Sequence, residues 1–302
     1  MVSARNIRRR IKSIANIAKI TKAMQMVASS KMRRAQETAL AGRPYAKLLV
    51  EFVTQTTKHA GDFTHPLSEI RPLKTHGVIV IGPDRGLCGA LPANIVREAL
   101  KFDPQNTVYI VVGKKPAQYL SRLGRKLVAE FATKDTPQFG DAKTVSRFAQ
   151  RLFLNRELDR VDVVFTQFIN TLVQRATTLP FLPIGTLEKL TLGERFSGSS
   201  ETSQIPSANN SITTYEIAEY LFEPEAPQIF EALIPHYLDY LIFQIFLEAK
   251  ASEHSARMVA MKNATDNANQ LIQEMTLHYN KMRQASITKE LLDITSAQMA
   301  MD

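Results

Sequence analysis

The sequence predicts an α/β protein in two parts: a long antiparallel coiled coil of its N- and C-terminal helices, and a central domain with a mainly parallel sheet. Three observations carry this reading. All 12 glycines fall between Gly42 and Gly198, and all 14 prolines between Pro44 and Pro235, so both ends lack helix breakers. Each end carries a narrow apolar stripe at spacings of three and four. Between them, β-branched runs alternate with helical patterns.

Residues 1–60 read as the first helix, eased at the "AGRP" stretch of 41–44. Ile7, Ile11, Ile14, Ile17, Met24, Ala28, Met32 and Ala35 form its predicted seam. The same segment is strongly cationic. "KITKAMQMVASSKMRRAQ" (19–36) has no acidic residue, and none occurs before Glu37. Basic helices of this kind face nucleic acid, an anionic membrane or an acidic protein surface.

Residues 226–302 read as the partner helix. From residue 236 to the end neither Gly nor Pro occurs, where ordinary usage would place roughly eight. A helix of that length reaches on the order of 100 Å. Ala249, Ala256, Ala260, Ala264, Ala268, Leu271, Met275 and Met282 form its predicted stripe. Alanine at so many seam positions lets two backbones approach closely. Pairing the two ends of the chain is the simplest arrangement, and two helices laid on a globular body is the plainer alternative.

Residues 76–222 read as a separate, Rossmann-like α/β domain. "HGVIVIG" (76–82), "TVYIVVG" (107–113) and "VDVVFTQF" (161–168) have the composition of buried parallel strands. Helical patterns at 93–102, 114–123 and 142–158 separate them, giving βαβ units. "RATTLPFLPIG" (175–185) and "YEIAEYLFE" (215–223) are candidate edge strands, and the Ser-rich stretch 193–211 reads as a polar surface insertion.

The bulk numbers exclude several classes. Hydrophobic residues at 44% and charged residues at 22% describe a globular chain, not a disordered one. The net charge of +9 calls for an acidic partner. Cys88 stands alone, so no internal disulfide is possible. The longest apolar runs, 78–82 and 240–249, are too short to span a bilayer, and the N-terminus lacks the apolar core of a secretory signal.

The central domain shows no legible chemistry. "GPDRGLCGALP" (82–92) follows the first strand, where a doubly wound sheet binds nucleotides. Its glycines at 82, 86 and 89 match neither GxGxxG nor the phosphate loop, and the phosphate-binding Lys is missing. Cys88 admits a nucleophile reading with His76 as the one nearby base, against a plain buried cysteine. No metal-ligand spacing occurs. The expectation is a scaffold with no catalytic residue, no metal and no cofactor.

Four motifs in order carry a family resemblance: "RRIKSIANIAKITKAMQMVASSKMRRAQ" (9–36), "DRGLCGAL" (84–91), "ASEHSARMVAMKNATDNANQLI" (251–272) and "YNKMRQASITKELLDI" (279–294). Over nearly its whole length the chain resembles the γ subunits of F-type ATP synthases, the central stalk of a rotary motor. The resemblance implies a non-catalytic rotor. Its paired helices would turn inside a ring of α and β subunits, and its central domain would meet the ε subunit and the membrane c-ring. It would sit peripherally at the cytoplasmic face of the cell membrane and couple ion flow to ATP synthesis or hydrolysis. Ala90 and Pro92 depart from the family's usual Gly and Asn after "DRGLCG", and the 193–211 insertion lacks the cysteines of chloroplast relatives.

The resemblance also assigns residues. Lys22, Met24 and Lys31 on the first helix, with Arg257, Arg283 and Gln284 on the last, match positions that meet the acidic C-terminal lever of each β subunit. Tyr220 and Glu223 in "EYLFEP" match the foot on the c-ring. Plainer readings stand beside these: Met24 as seam, Arg283 and Gln284 as solvated positions, Glu223 as a helix cap. The rival from another class is a basic helical nucleic-acid-binding protein, which would want base-stacking aromatics. Residues 1–44 contain none.

Overall fold

A computed structural model describes residues 4–59, 65–184 and 226–299. The insertion at 193–211, the candidate strand at 215–223, and with it Tyr220 and Glu223, lie outside the described residues. Two helices bound the chain, α1 (Ala4–His59) and α5 (Ala226–Met299). Pro44 and Pro235 sit inside them without ending them. Among the described residues no helix is long and apolar enough to cross a membrane.

Between the long helices the chain alternates as predicted: β1 (His76–Ile81), α2 (Leu91–Ala99), β2 (Thr107–Val112), α3 (Lys114–Arg122), β3 (Leu127–Phe131), α4 (Phe139–Leu154), β4 (Arg160–Phe168) and β5 (Gln174–Leu182). The sheet order is β3-β2-β1-β4-β5. The first four strands are parallel, and β5 returns antiparallel to β4. β1 and β2 are buried along their whole length, as their unbroken apolar runs require.

Two local readings are corrected. β3 was not anticipated: "LVAEF" alternates half-buried and exposed residues at the sheet edge, a pattern too short and weak to stand out. α4 starts three residues before the predicted 142 and ends four before the predicted 158. The Asp141 carboxylate accepts the Gln138 N–H at 3.3 Å and fixes the start. At the other end Arg156 turns left-handed, φ 61°, while Glu157 N–H bonds back to the Leu152 carbonyl.

The described chain forms two compact units. One holds residues 32–86 and 90–253, and with them the sheet, α2–α4, the later part of α1 and the base of α5. Its core joins Ile79, Ile110, Val163 and Phe165 of the sheet to Ala149 and Phe153 of α4 and to Leu241, Ile242, Ile245 and Phe246 of α5. The base of α5 is buried on nearly every side, and its polar residues Asp239, Glu248 and Ser252 each bond to the domain. Asp239 accepts from Arg147 Nε at 3.3 Å and Gln150 Nε2 at 3.2 Å. Glu248 accepts the Phe168 N–H at 3.1 Å, and Ser252 Oγ donates to the Thr166 carbonyl at 3.0 Å.

The same unit clasps α1 to α5. The Tyr45 hydroxyl lies 2.8 Å from His236 Nε2, and Tyr240 donates to the Gly42 carbonyl at 2.6 Å. A Cβ on Gly42 would stand 2.5 Å from Gln244 Nε2 and 2.8 Å from the Tyr240 hydroxyl oxygen, so any larger residue there would displace these two side-chain ends. Residues 42 and 45 meet 240–244 and 236 respectively, an antiparallel pairing. Before β1, the neutral Nδ1 of His65 caps a 3₁₀ turn (Pro66–Ser68) by accepting the Leu67 N–H, and burial holds the His65 pKa down.

Gly113 joins β2 to α3 with φ 105°, and a Cβ there would lie 2.2 Å from the Gly82 carbonyl oxygen. Gly140 in α4 has open space around it. Gly113→Ala is therefore expected to lower unfolding stability by about 1–3 kcal/mol, and Gly140→Ala to raise it by about 0.5 kcal/mol. Urea denaturation of both variants beside the parent chain checks the contrast.

Candidate functional site

Open α/β sheets bind ligands beyond the carboxyl ends of their strands, where successive connections diverge. Here that place lies between β1 and β4. The chain fills it. Asp84 Oδ1 accepts the Lys114 N–H at 3.0 Å, and Oδ2 accepts from Thr133 Oγ1 at 3.2 Å. The N-terminus of α3 thus holds a carboxylate of the protein where a phosphate could otherwise sit. α5 closes the crevice with Phe246, Ala249, Lys250 and Glu253, leaving a cavity of about 10 Å³. No nucleotide fits in that space.

The cysteine reading resolves in the same direction. His76 Nε2 is committed to Asp162 Oδ2 at 2.7 Å, within a buried pair. Cys88 is 1% exposed. It sits in the turn Leu87–Gly89, which forms one compact unit with residues 1–31 and 254–302. Leu87 and Gly89 there have φ of 64° and 62°. A left-handed leucine is strained, so the surrounding fold imposes the turn. A buried thiol in such a place is packing rather than chemistry.

The second candidate is the helical unit itself. Its seam departs from the predicted one at named positions. Ile17 is 49% exposed and Leu271 is 44% exposed, whereas Ala18, Met261 and Thr265 are buried. A 4-3 series runs through 7, 11, 14, 18, 21, 25 and 28 of α1, with 15, 24 and 29 half-buried on its flanks. Another runs through 254, 258, 261, 265, 268, 272, 275, 279 and 282 of α5, where every position from 254 to 261 is at least half-buried and the series stands alone only after 265. Both alternate strictly between four and three, the repeat of a supercoiled pair. Thr21 Oγ1 and Thr265 Oγ1 meet across it at 2.7 Å. Each hydroxyl also reaches its own helix, Thr21 to the Ala18 carbonyl at 3.1 Å and Thr265 to the Met261 carbonyl at 2.8 Å.

All six described candidates from the sequence, Lys22, Met24, Lys31, Arg257, Arg283 and Gln284, belong to this helical unit. Lys22 is exposed, with Nζ 3.3 Å from Gln25 Oε1. Met24 and Lys31 are half-buried flanks of the α1 seam. Arg257 is half-buried, with a guanidinium nitrogen 3.4 Å from His254 Nδ1. Arg283 and Gln284 are exposed. The six are spread along two helices and form no single cluster. Arg5, Arg8, Arg9, Arg10, Lys12 and Lys19 are exposed beside them. The hydroxyl pair went unnoticed in the sequence because its threonines read as ordinary polar positions.

The sequence model of the ATP synthase family matches residues 3–301. An ATP synthase gamma chain of Methylacidiphilum infernorum is 44% identical over all of this chain and all of its own length. The chain belongs to the ATP synthase gamma-chain family. A second relative of that name, from Opitutus terrae, is 42% identical over 99% of both chains. Among solved structures, a chain of the Euglena gracilis mitochondrial ATP synthase OSCP/F1/c-ring assembly aligns with a TM-score of 0.66 at 20% identity, covering 99% of this chain and 94% of its own. A chain of the Tetrahymena thermophila central stalk/c-ring structure aligns at 0.58 and 23% identity, covering 81% and 99%. These two show the fold: a mainly parallel α/β sheet with long terminal helices. Family membership disfavours the nucleic-acid reading of the basic helix.

Thr265→Val leaves the Thr21 hydroxyl facing a methyl group in the seam, and is expected to cost about 1 kcal/mol of stability. With Thr21→Val added, the loss should shrink, because both partners are then apolar and similar in shape. A double-mutant cycle by thermal unfolding measures the coupling.

Proposed function

We propose that this chain is the rotor subunit of an F-type ATP synthase, coupling ion flow through a membrane c-ring to ATP synthesis or hydrolysis on β subunits. The observation that carries the reading is the family match over the full length, joined to a slender helix pair with a cationic exposed face. The shaft would comprise residues 1–60 and 226–302, and the central domain residues 76–222. In the assembly the chain meets the α and β subunits, the ε subunit and the c-ring, at the cytoplasmic face of the cell membrane.

The mechanism follows from asymmetry. A shaft with one cationic side, turning inside a threefold ring, presents a different face to each β subunit at any moment. Each face favours a different β conformation by differential contact energy alone. Lys22, Lys31, Arg257 and Arg283 act as attractive points for an acidic lever, Gln284 as a hydrogen-bonding one, and Met24 as an apolar contact beside the seam. Tyr220 and Glu223 form the foot on the c-ring. The rotor performs no bond chemistry.

Coexpression with the cognate α and β subunits tests the assignment: the chain should copurify in their complex and turn relative to them during ATP hydrolysis. Isolation as a free nucleic-acid-binding monomer would sink it. Exposed ion pairs contribute about 0–1 kcal/mol each. Single alanine variants at Lys22, Lys31, Arg257 and Arg283 should therefore lower turnover no more than about fivefold, and the four together about thirtyfold or more.

The foot is expected to matter to coupling more than to hydrolysis. Glu223→Lys should weaken proton or sodium pumping in membranes while leaving ATP hydrolysis by the detached soluble part nearly unchanged, since like charge at an interface costs docking energy. Parallel loss of both activities would assign Glu223 to folding instead.

A further inference from the structure

We propose that the crevice between β1, β4 and α5 holds a single buried water molecule, bridging Thr166 Oγ1 to the Lys250–Glu253 ion pair. Thr166 is 3% exposed, and its Oγ1 has no hydrogen-bond partner. Across the crevice Lys250 Nζ lies 2.9 Å from Glu253 Oε2, with side-chain exposures of 7% and 6%. An ammonium has three N–H donors, and among the described residues Glu253 is the one hydrogen-bond partner Lys250 shows. The cavity of about 10 Å³ is lined by all three residues.

The chemistry selects water over other occupants. A water molecule needs roughly 10–15 Å³ of such space and two to four polar partners. It can accept from Lys250 and donate to Thr166, whose hydroxyl would otherwise stay buried without a partner. A metal cation would stand beside the Lys250 ammonium and be repelled. An organic ligand is too large. The walls are themselves fixed, because Ser252 bonds the Thr166 carbonyl and Glu248 bonds the Phe168 N–H. The β4 backbone is thus held against α5, and the water becomes a further polar link between them.

The test is a density map of the full chain in its assembled complex, at a resolution that orders water oxygens. We expect one peak about 2.7–3.2 Å from both Thr166 Oγ1 and Lys250 Nζ. It should persist in Thr166→Ser and disappear in Thr166→Val, with the melting temperature of each variant confirming that it folds. An empty crevice in the parent chain overturns the proposal, as does a direct Thr166–Lys250 bond or a peak unmoved in Thr166→Val. Should the valine variant fail to fold, the parent and serine maps decide alone.

Discussion

Burial of α5 at its base is the interaction on which the rest of this protein depends. From Ile234 to Ser255 the helix is enclosed on nearly every side, and Leu238, Leu241, Ile242, Ile245 and Phe246 form part of the domain core. Beyond Met261 the same helix buries only a stripe. One unbroken helix thus meets two environments, and its sequence changes pattern where the environment changes. Aromatic and branched residues fill the first part, while alanine, threonine and methionine line the second. After Pro235 the helix holds no further Gly or Pro, and introducing either would weaken the element that both compact units share.

The filled crevice follows from the same burial. A parallel sheet with this strand order offers a ligand site between β1 and β4. α5 occupies that site with Phe246, Ala249, Lys250 and Glu253, and Asp84 occupies the anion position at α3. The fold has exchanged a ligand pocket for a helix seat. Polar groups brought into the seat then need partners, which explains why Asp239, Glu248 and Ser252 each bond to the domain they enter.

Much of this was legible in the residues, because breaker distribution and β-branched runs report directly on element type. The buried strands β1 and β2 could hardly be read otherwise. The seam was read with the wrong members in places, for a physical reason. Hydrophobicity suggested Ile17 and Leu271, but a supercoiled pair selects by phase, and the 4-3 repeat turns the neighbouring Ala18 and Ile272 inward. β3 escaped because an edge strand buries little and so needs little apolar signal. Asp84 escaped because capping is a matter of geometry: nothing in "GPDRG" says which backbone N–H groups, thirty residues on, its carboxylate will meet.

The proposed rotor role sets a requirement on how the cationic face must work. To move a β subunit between two conformations from 1:99 to 99:1, the shaft must favour one of them by about 5.5 kcal/mol. An exposed ion pair supplies about 0–1 kcal/mol, so on the order of six or more contacts must change together as the shaft turns. That number cannot be met by the few residues nearest one lever. It can be met by a row of cations along a helix with no acidic residue before Glu37, where Arg5, Arg8, Arg9, Arg10, Lys12, Lys19 and Lys22 are all exposed. It also demands that the row turn as one body, since side chains moving independently would deliver their energies at different angles. A continuous 4-3 seam, tied by the Thr21–Thr265 hydroxyl pair and clasped by Tyr240 to the Gly42 backbone, is the stiffness that such sharing needs.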